Sequence, residues 1–599
     1  MKINKILSSI ILCFKNVATS CPSRLFLDFL AKLVSSGIYL FLDVIFLGYL
    51  IKMCELHYNF TRVVLFISIS MLAIFAGKMF VSWYSNRYVM IADQQTKAKL
   101  NSNIFKKATN VDVVCYEDTD FFDRFSRVVS EYCSVNMSVY STIKDIVVIL
   151  LESISVLIII INVDPTTLLF STIPFLFLSL FGKKSNKLRI DLKKENTKYD
   201  RKAAYTERVI YQKEYAKELR LFRIYEPLKR NFDDAIDQLS KNIQIYGKRI
   251  ALVEFFQKIL SENIMYFGLL VYLTFRVTQS NDINLSDWLV LLNSAVSFAN
   301  KFQRLADKCL SLYTNSKYVE LFEEYFQYQP QIPEDFIGEK ISNGPHCIEF
   351  KNVSFTYKGM KKPALKNINL YIAPNEKIAI VGCNGAGKST LIKLLLRLYD
   401  PDDGIITCDN KNIKLFTVED YRTIFATVMQ DSKLFALSVG ENVLMRTINK
   451  FDKKEIETAL EESTFNFENG KLKFNVDSIL TKEFDDNGIV LSGGENQKIA
   501  IARAVASNRD VIVLDEPSSA LDPIAEDIMF KSMFDICANK SAVLISHRLA
   551  NVVSADRIYV MSNGEIVEVG NHTELMQLNG LYADMFKKQS ENYLMGQEI

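Results

Sequence analysis

The stretch Gly382-Cys383-Asn384-Gly385-Ala386-Gly387-Lys388-Ser389 fits the pattern G-x-x-x-x-G-K-[ST], between the apolar run Lys377 to Val381 and the segment Thr390 to Leu398. A short strand running into a glycine loop that opens a helix is the setting in which this pattern holds phosphate. Gly382, Gly385 and Gly387 let the backbone wrap an anion without Cβ clashes. The N–H groups of Cys383, Asn384, Ala386 and the first helical residues, with Thr390 in the same turn, and the positive end of the helix then face it. Lys388 brings a point charge to the β/γ-phosphates, and the Ser389 hydroxyl suits a Mg²⁺ that also touches phosphate oxygen.

This loop lies late in a chain of 599 residues, too long for one core. The first half carries long apolar runs, whereas the last 250 or so residues alternate short apolar strands with charged helices. A net charge of +2 provides no strong field for a phosphate backbone, which argues against a nucleic-acid partner. The ten cysteines contain no C-x-x-C pair, so a zinc or disulfide framework is not expected, and Cys383 inside the loop implies a reducing, cytoplasmic setting.

Residues 1–20 carry a short apolar patch flanked by Lys2, Lys5 and Lys15. Cys21-Pro22-Ser23 offers no small-x-small cleavage site, so an amphipathic elbow on the inner membrane face is expected rather than a signal peptide. Six stretches follow that are apolar enough to cross about 30 Å of hydrocarbon. They run from Leu25 to Leu50, Val63 to Tyr84, Ile143 to Val163, Thr166 to Phe181, Ala251 to Phe275 and Leu285 to Phe302. Residues 85–142 and 182–250 between them are long, charged and helix-rich, and their lysines and arginines place them in the cytoplasm. The expected architecture is a membrane all-α domain of six transmembrane helices over 21–305, a linker over 306–345, an α/β domain over 346–590 and a tail over 591–599. Asp43, Lys78, Glu152, Glu254, Lys258 and Glu262 fall within spans, where ionisable residues mark a transport path or pair inside the bundle.

Within the α/β half, Val511-Ile512-Val513-Leu514-Asp515-Glu516 reads as a buried strand ending in two carboxylates. Asp515 is suited to hold Mg²⁺ and Glu516 to orient or deprotonate an attacking water. Leu491-Ser492-Gly493-Gly494-Glu495-Asn496-Gln497 opens an Ala-rich helix and resembles the signature of the ATP-binding cassette (ABC) family.

The resemblance covers about 346–590. It makes Tyr357 the adenine-stacking aromatic, Gln430 the lid glutamine that also touches Mg²⁺, Asp522 of Ser519-Ala520-Leu521-Asp522 the D-loop acid and His547 the switch histidine. Ser492, Gly493 and Gly494 would complete the ATP site of a second cassette. Where the family commonly has Gln this chain has Glu495, whose carboxylate is expected to turn toward its own helix and to weaken or alter ATP closure.

Six spans and one cassette resemble an exporter-type half-transporter, which implies a multi-pass cell-membrane protein that works as a dimer with two sandwiched ATP. Because every motif is present, a homodimer is expected. The six spans argue strongly against a DNA-repair cassette ATPase, which shares the signature. The cargo class implied is a peptide or amphipathic small molecule moved outward, with a lipid flippase or an ATP-gated regulator as alternatives. No leader-cleaving protease domain is expected ahead of the first span. The segments Tyr116 to Asp123 and Lys217 to Phe222 resemble coupling regions, in which Phe121 and Phe122 are expected to dock and to communicate with the Gln430 loop.

Overall fold

The computed structural model describes residues 2–279, 283–342, 344–465, 475–517, 530, 533, 537 and 539–594. They form two compact units, residues 1–105 with 125–327 and residues 106–124 with 328–599.

The first unit is helical throughout its regular elements. An N-terminal helix, Lys2–Ser20, precedes long helices over Pro22–Glu55 and Phe60–Ala108. Helices Thr119–Val163, Thr167–Tyr211, Tyr225–Lys258 with Ile264–Thr278, and Leu285–Gln327 follow. Among the described residues, three helices, Pro22–Glu55, Phe60–Ala108 and Arg124–Val163, contain 18-residue stretches with mean hydropathies of 1.9, 2.2 and 2.8 and are long and apolar enough to cross a membrane. Leu65, Leu72 and Phe75 keep more than half of their surface exposed, as expected of a helix that is apolar on every face and meets lipid. π-Helical turns at Phe41–Phe46, Tyr84–Val89 and Ile259–Asn263 interrupt the regular winding.

Several charges inside this unit are paired. Arg24 and Asp28, 6% and 2% exposed, pair at 3.2 Å; Arg24 also meets Asp93 at 2.6 Å and Lys144 meets Asp28 at 3.4 Å. The network ties three successive helices together, since an unpaired charge in an apolar bundle is costly. Of the span residues singled out above, Glu152 pairs with Lys301 at 3.0 Å and Glu254 with Arg189 at 2.7 Å, while the Glu262 side chain lies outside the described residues.

The helix Leu285–Gln327 contains no glycine or proline, so the stretch assigned to a linker from 306 stays helical to Gln327 and becomes irregular only toward Pro330 and Pro333. At the far end, the helix Leu581–Leu594 runs past residue 590.

The second unit is α/β. Strands β1 (Ile348–Phe355), β2 (Leu365–Ile372), β4 (Asp403–Cys408) and β5 (Lys411–Asn412) form an antiparallel sheet in the order β2-β1-β4-β5. The larger sheet has the order β10-β9-β3-β8-β7-β6, built from β3 (Lys377–Gly382), β6 (Phe425–Val428), β7 (Val511–Asp515), β8 (Ser541–Ile545), β9 (Arg557–Ser562) and β10 (Glu565–Gly570). Strands β9, β3, β8, β7 and β6 are parallel, and all residues of β7 and β8 are buried. That explains their unbroken apolar sequences, because a sheet covered on both faces has no polar side. One core joins the two sheets through Phe350, Ile380 and Leu391, and a second fills the other face through Val381, Leu514 and Leu544. A third, helical core gathers Val443, Ile456, Leu460 and Ile499.

Residues 106–124 belong to this unit although they lie far upstream. The helix Val113–Glu117 sets Val114 against the core of the two sheets. Tyr328 donates its hydroxyl to Asp112 at 2.6 Å and accepts from Cys115 at 3.2 Å. Phe121 meets the Tyr328 ring edge-on at 5.4 Å within this unit, and Phe122 stays 47% exposed.

Candidate nucleotide site

Four neighbouring strands of the parallel sheet, in the order β3-β8-β7-β6, end on one edge. The glycine loop follows β3, His547 follows β8, Asp515 and Glu516 end and follow β7, and Gln430 follows β6. Open α/β sheets bind ligands at this edge because the loops and helix N-termini converge there.

Gly382 and Gly387 have φ of +152° and +104°. A Cβ on Gly387 would stand 2.9 Å from the Ala364 carbonyl, and one on Gly382 would strike the Met561 carbonyl, so neither position admits another residue without displacement. Cys383, Asn384, Gly385 and Ser389 are exposed on the loop, while Ala386 and Thr390 are buried beneath it. The helix Lys388–Leu395 starts at Lys388, whose ammonium donates to the carbonyls of Gly382 at 2.9 Å and Cys383 at 3.2 Å. Burial pushes the Lys388 pKa down, opposed by the Glu516 and Asp515 carboxylates. The Tyr357 hydroxyl hydrogen-bonds Thr390 at 3.1 Å, and its ring meets Phe355 and Tyr399 edge-on.

Asp515 is 3% exposed, and its Oδ1 is buried without a hydrogen-bond partner. Burial first, then the adjacent Glu516 carboxylate, raises its pKa above the usual carboxylate range; Lys388, His547 and the Ser389 hydroxyl oppose this. An orphaned buried carboxylate oxygen beside a serine hydroxyl suits a hard cation. Glu516 has φ +50°, a left-handed conformation unusual for a side chain of its kind, and meets His547 Nε2 through Oε1. Gln430 is exposed on its turn.

The signature opens the helix Gly493–Ser507 and is built as a capping box. The Ser492 N–H and hydroxyl donate to Glu495 Oε2 at 2.7 and 2.8 Å, and the Glu495 N–H donates to Ser492 Oγ at 3.3 Å. Glu495 thus folds back on its own helix, with Gly493 and Gly494 in the first turn. Ser519, Ala520, Leu521 and Asp522 lie outside the described residues.

Two residues beside this site carry no recognisable motif. Lys393 on the phosphate-loop helix bonds Glu117 at 2.9 Å, and Lys358, next to Tyr357, bonds Asp118 at 2.8 Å. The sequence separation hides both pairs.

Residues 365–519 match the family described as ABC transporter. The chain is 30% identical over 508 residues to the subtilin transport ATP-binding protein of Bacillus subtilis, covering 83% of this chain and 80% of that one. It is 38% identical over 243 residues to the ATP-dependent lipid A-core flippase of Salmonella paratyphi A, covering 40% of this chain and 41% of that one. The fold matches a bacterial Atm1-family ABC exporter with ATP bound at a TM-score of 0.72 and 20% identity, over 98% of both chains.

Proposed function

Because this chain belongs to the ABC transporter family, as a multi-pass membrane protein with a cytoplasmic ATP-binding domain and the exporter fold, we propose that two copies of it form an ATP-driven exporter of peptides. The observation that carries the catalytic reading is the convergence of four motif residues or pairs on the ends of four adjacent strands.

In this reading Tyr357 stacks the adenine and the N–H groups of 382–390 with Lys388 hold the phosphates. Ser389, Asp515 and Gln430 hold Mg²⁺, which when bound neutralises charge on the phosphate oxygens. Glu516, in a left-handed backbone conformation, orients or deprotonates the attacking water. His547, in contact with Glu516, fixes that carboxylate and senses the terminal phosphate. Ser492, Gly493 and Gly494 of the second copy, with Asp522, complete the site across the dimer.

A homodimer follows from the presence of every catalytic residue type in one chain. Leu221 and Phe222, in the second cytoplasmic excursion, are 75% and 74% exposed, which fits a second subunit of either kind covering them. Purification from the native host tests this: a stoichiometric second half-transporter overturns the homodimer.

The peptide reading rests on the subtilin transport relative, whose match is long enough to include membrane helices. It also rests on a cavity of about 1100 Å³ in the first unit, lined by Asp43, Glu152, Lys301 and Arg304 among others. Charges of both signs suit a peptide better than an acyl chain. ATP-dependent uptake into inside-out vesicles decides it. Accumulation of a lantibiotic-type peptide is expected, lipid translocation alone establishes a flippase, and neither, with ATP hydrolysis intact, establishes a gated regulator.

A further inference from the structure

Residues 106–124 reach the base end of the nucleotide site rather than its phosphate end. Lys393 lies one helical turn beyond Ser389, and its ammonium is 2.9 Å from Glu117 Oε1, 5.4 Å from the centroid of the Tyr357 ring and 5.5 Å from that of Tyr399. The Tyr357 ring is held at its hydroxyl by Thr390 and at its edge by Phe355 and Tyr399. Asp118, next to Glu117, bonds Lys358, next to Tyr357. Two consecutive acids from one short segment therefore grip two lysines that flank one aromatic ring. Beside them lies a cavity of about 850 Å³ lined by Glu117, Asp118, Tyr357, Lys358, Lys393 and Tyr399.

The cation is secured by its acid. Burial disfavours the Lys393 ammonium, but Glu117 and Tyr357 outweigh it, so the amine titrates above its ordinary value. An ammonium near a phenol ring is attracted by the ring quadrupole and helps to fix the ring plane beside the cavity in which a base would stack. Were Glu117 drawn away, the Lys393 ammonium, on a side chain 28% exposed, would gain water and the ring would lose its backing.

We infer that Glu117 and Lys393 form a relay that sets how firmly Tyr357 holds the adenine base, so that the first cytoplasmic segment controls nucleotide affinity through the base. The inference rests on the nucleotide reading above and makes Lys393 a positioning residue. Residue 117 is joined through the chain to the helices Phe60–Ala108 and Thr119–Val163, so a shift of those helices is felt at the ring. Base-dependent affinity then follows the state of the membrane helices without any change in the phosphate loop.

The full-length protein in lipid nanodiscs tests this with ATP and, as a probe of the phosphate site that lacks a base, inorganic tripolyphosphate as a competitor. Lys393→Met and Glu117→Gln are expected to raise the KM for ATP about fivefold, on the scale of one cation–π contact. In both, kcat and the tripolyphosphate inhibition constant stay within about twofold. Lys393→Arg keeps the native KM, and exchanging the charges in Glu117→Lys with Lys393→Glu loses the effect on the ring and keeps the high KM. Parallel losses for ATP and tripolyphosphate, or an unchanged KM in Lys393→Met, overturn the relay. Tyr357→Ala separates the two readings. If it leaves the KM unchanged, base stacking itself is wrong; if it raises the KM while Lys393→Met and Glu117→Gln do not, only the relay falls.

Discussion

The two units differ at the charges singled out above. In the helical unit Arg24, Asp28 and Lys144 and the pair Glu152 with Lys301 meet partners within the bundle. In the cassette, Asp515 keeps a buried oxygen without a partner and Glu516 sits in a left-handed backbone conformation. Lipid cannot supply a hydrogen bond, so a bundle in a membrane must settle its charges internally. A site that awaits a charged ligand instead retains unspent polar groups, and the cost is borne until the ligand arrives.

The contrast fails first if Glu516 is not catalytic. Glu516→Gln keeps shape and removes the base, so steady-state hydrolysis is expected to fall by about 10²–10⁴-fold while ATP binding persists, measured as turnover against nucleotide trapping. Undiminished turnover returns Glu516 to a structural role. Next in size, Glu152→Gln strands the Lys301 ammonium, 12% exposed, and is expected to cost about 3 kcal/mol in a thermal or denaturant assay in detergent. Glu152→Gln with Lys301→Met should recover most of it. If the double variant is no more stable than the single, the pair is not where the cost arises.

Asp515→Asn runs in the opposite direction. The folded pKa of Asp515 lies above its unfolded one, so its ionisation opposes folding fully at neutral pH and not at all below the unfolded value. In nucleotide-free, chelator-treated protein the variant is expected to be about 1 kcal/mol more stable at pH 7, although inactive, because it removes an uncompensated buried charge. The advantage should fade as pH falls toward about 4. A destabilised variant at pH 7 would show that Asp515 is as well settled as the membrane charges. The smallest effect belongs to Glu495→Gln, which keeps the capping box and removes one negative charge near the facing phosphate. In a Glu516→Gln background it should lower the ATP concentration for half-maximal closure about threefold, less so at high salt. Equal values at all salt concentrations remove Glu495 from closure.

The sequence exposed the cassette site because its chemistry is carried by backbone shape. Gly382 and Gly387 at positive φ, two acids at a strand end and a serine capping a helix recur in fixed local order. The membrane half was legible only as apolar length. Which charges pair there depends on helix rotation and contact across residues far apart, so Glu152 with Lys301 could be suspected but not assigned. The π-helical turn at Phe41–Phe46 had no marker such as proline or glycine within it. Residues 116–123 could be read as a coupling region by resemblance, but which cassette residues the segment 106–124 meets was hidden because those partners lie hundreds of residues away. The aromatics Phe121 and Phe122 drew attention by hydrophobicity, and the structure adds Val114, Glu117 and Asp118 to the attachment beside the Phe121–Tyr328 ring contact.

That attachment also dictates an order of events on the ribosome. Glu117 is synthesised 276 residues before Lys393, a delay of about 14–55 s at 5–20 residues per second. During that interval Val114, Cys115 and Phe121 have left the translation machinery with no cassette to receive them. The nascent membrane half must therefore carry an unfinished docking tip through its own insertion, and chaperone occupancy of that tip would be highest before the cassette that receives it is complete. A cassette expressed from residue 346 alone would in turn lack the clamp on Lys358 and Lys393, so its nucleotide affinity would describe a released state rather than the working one.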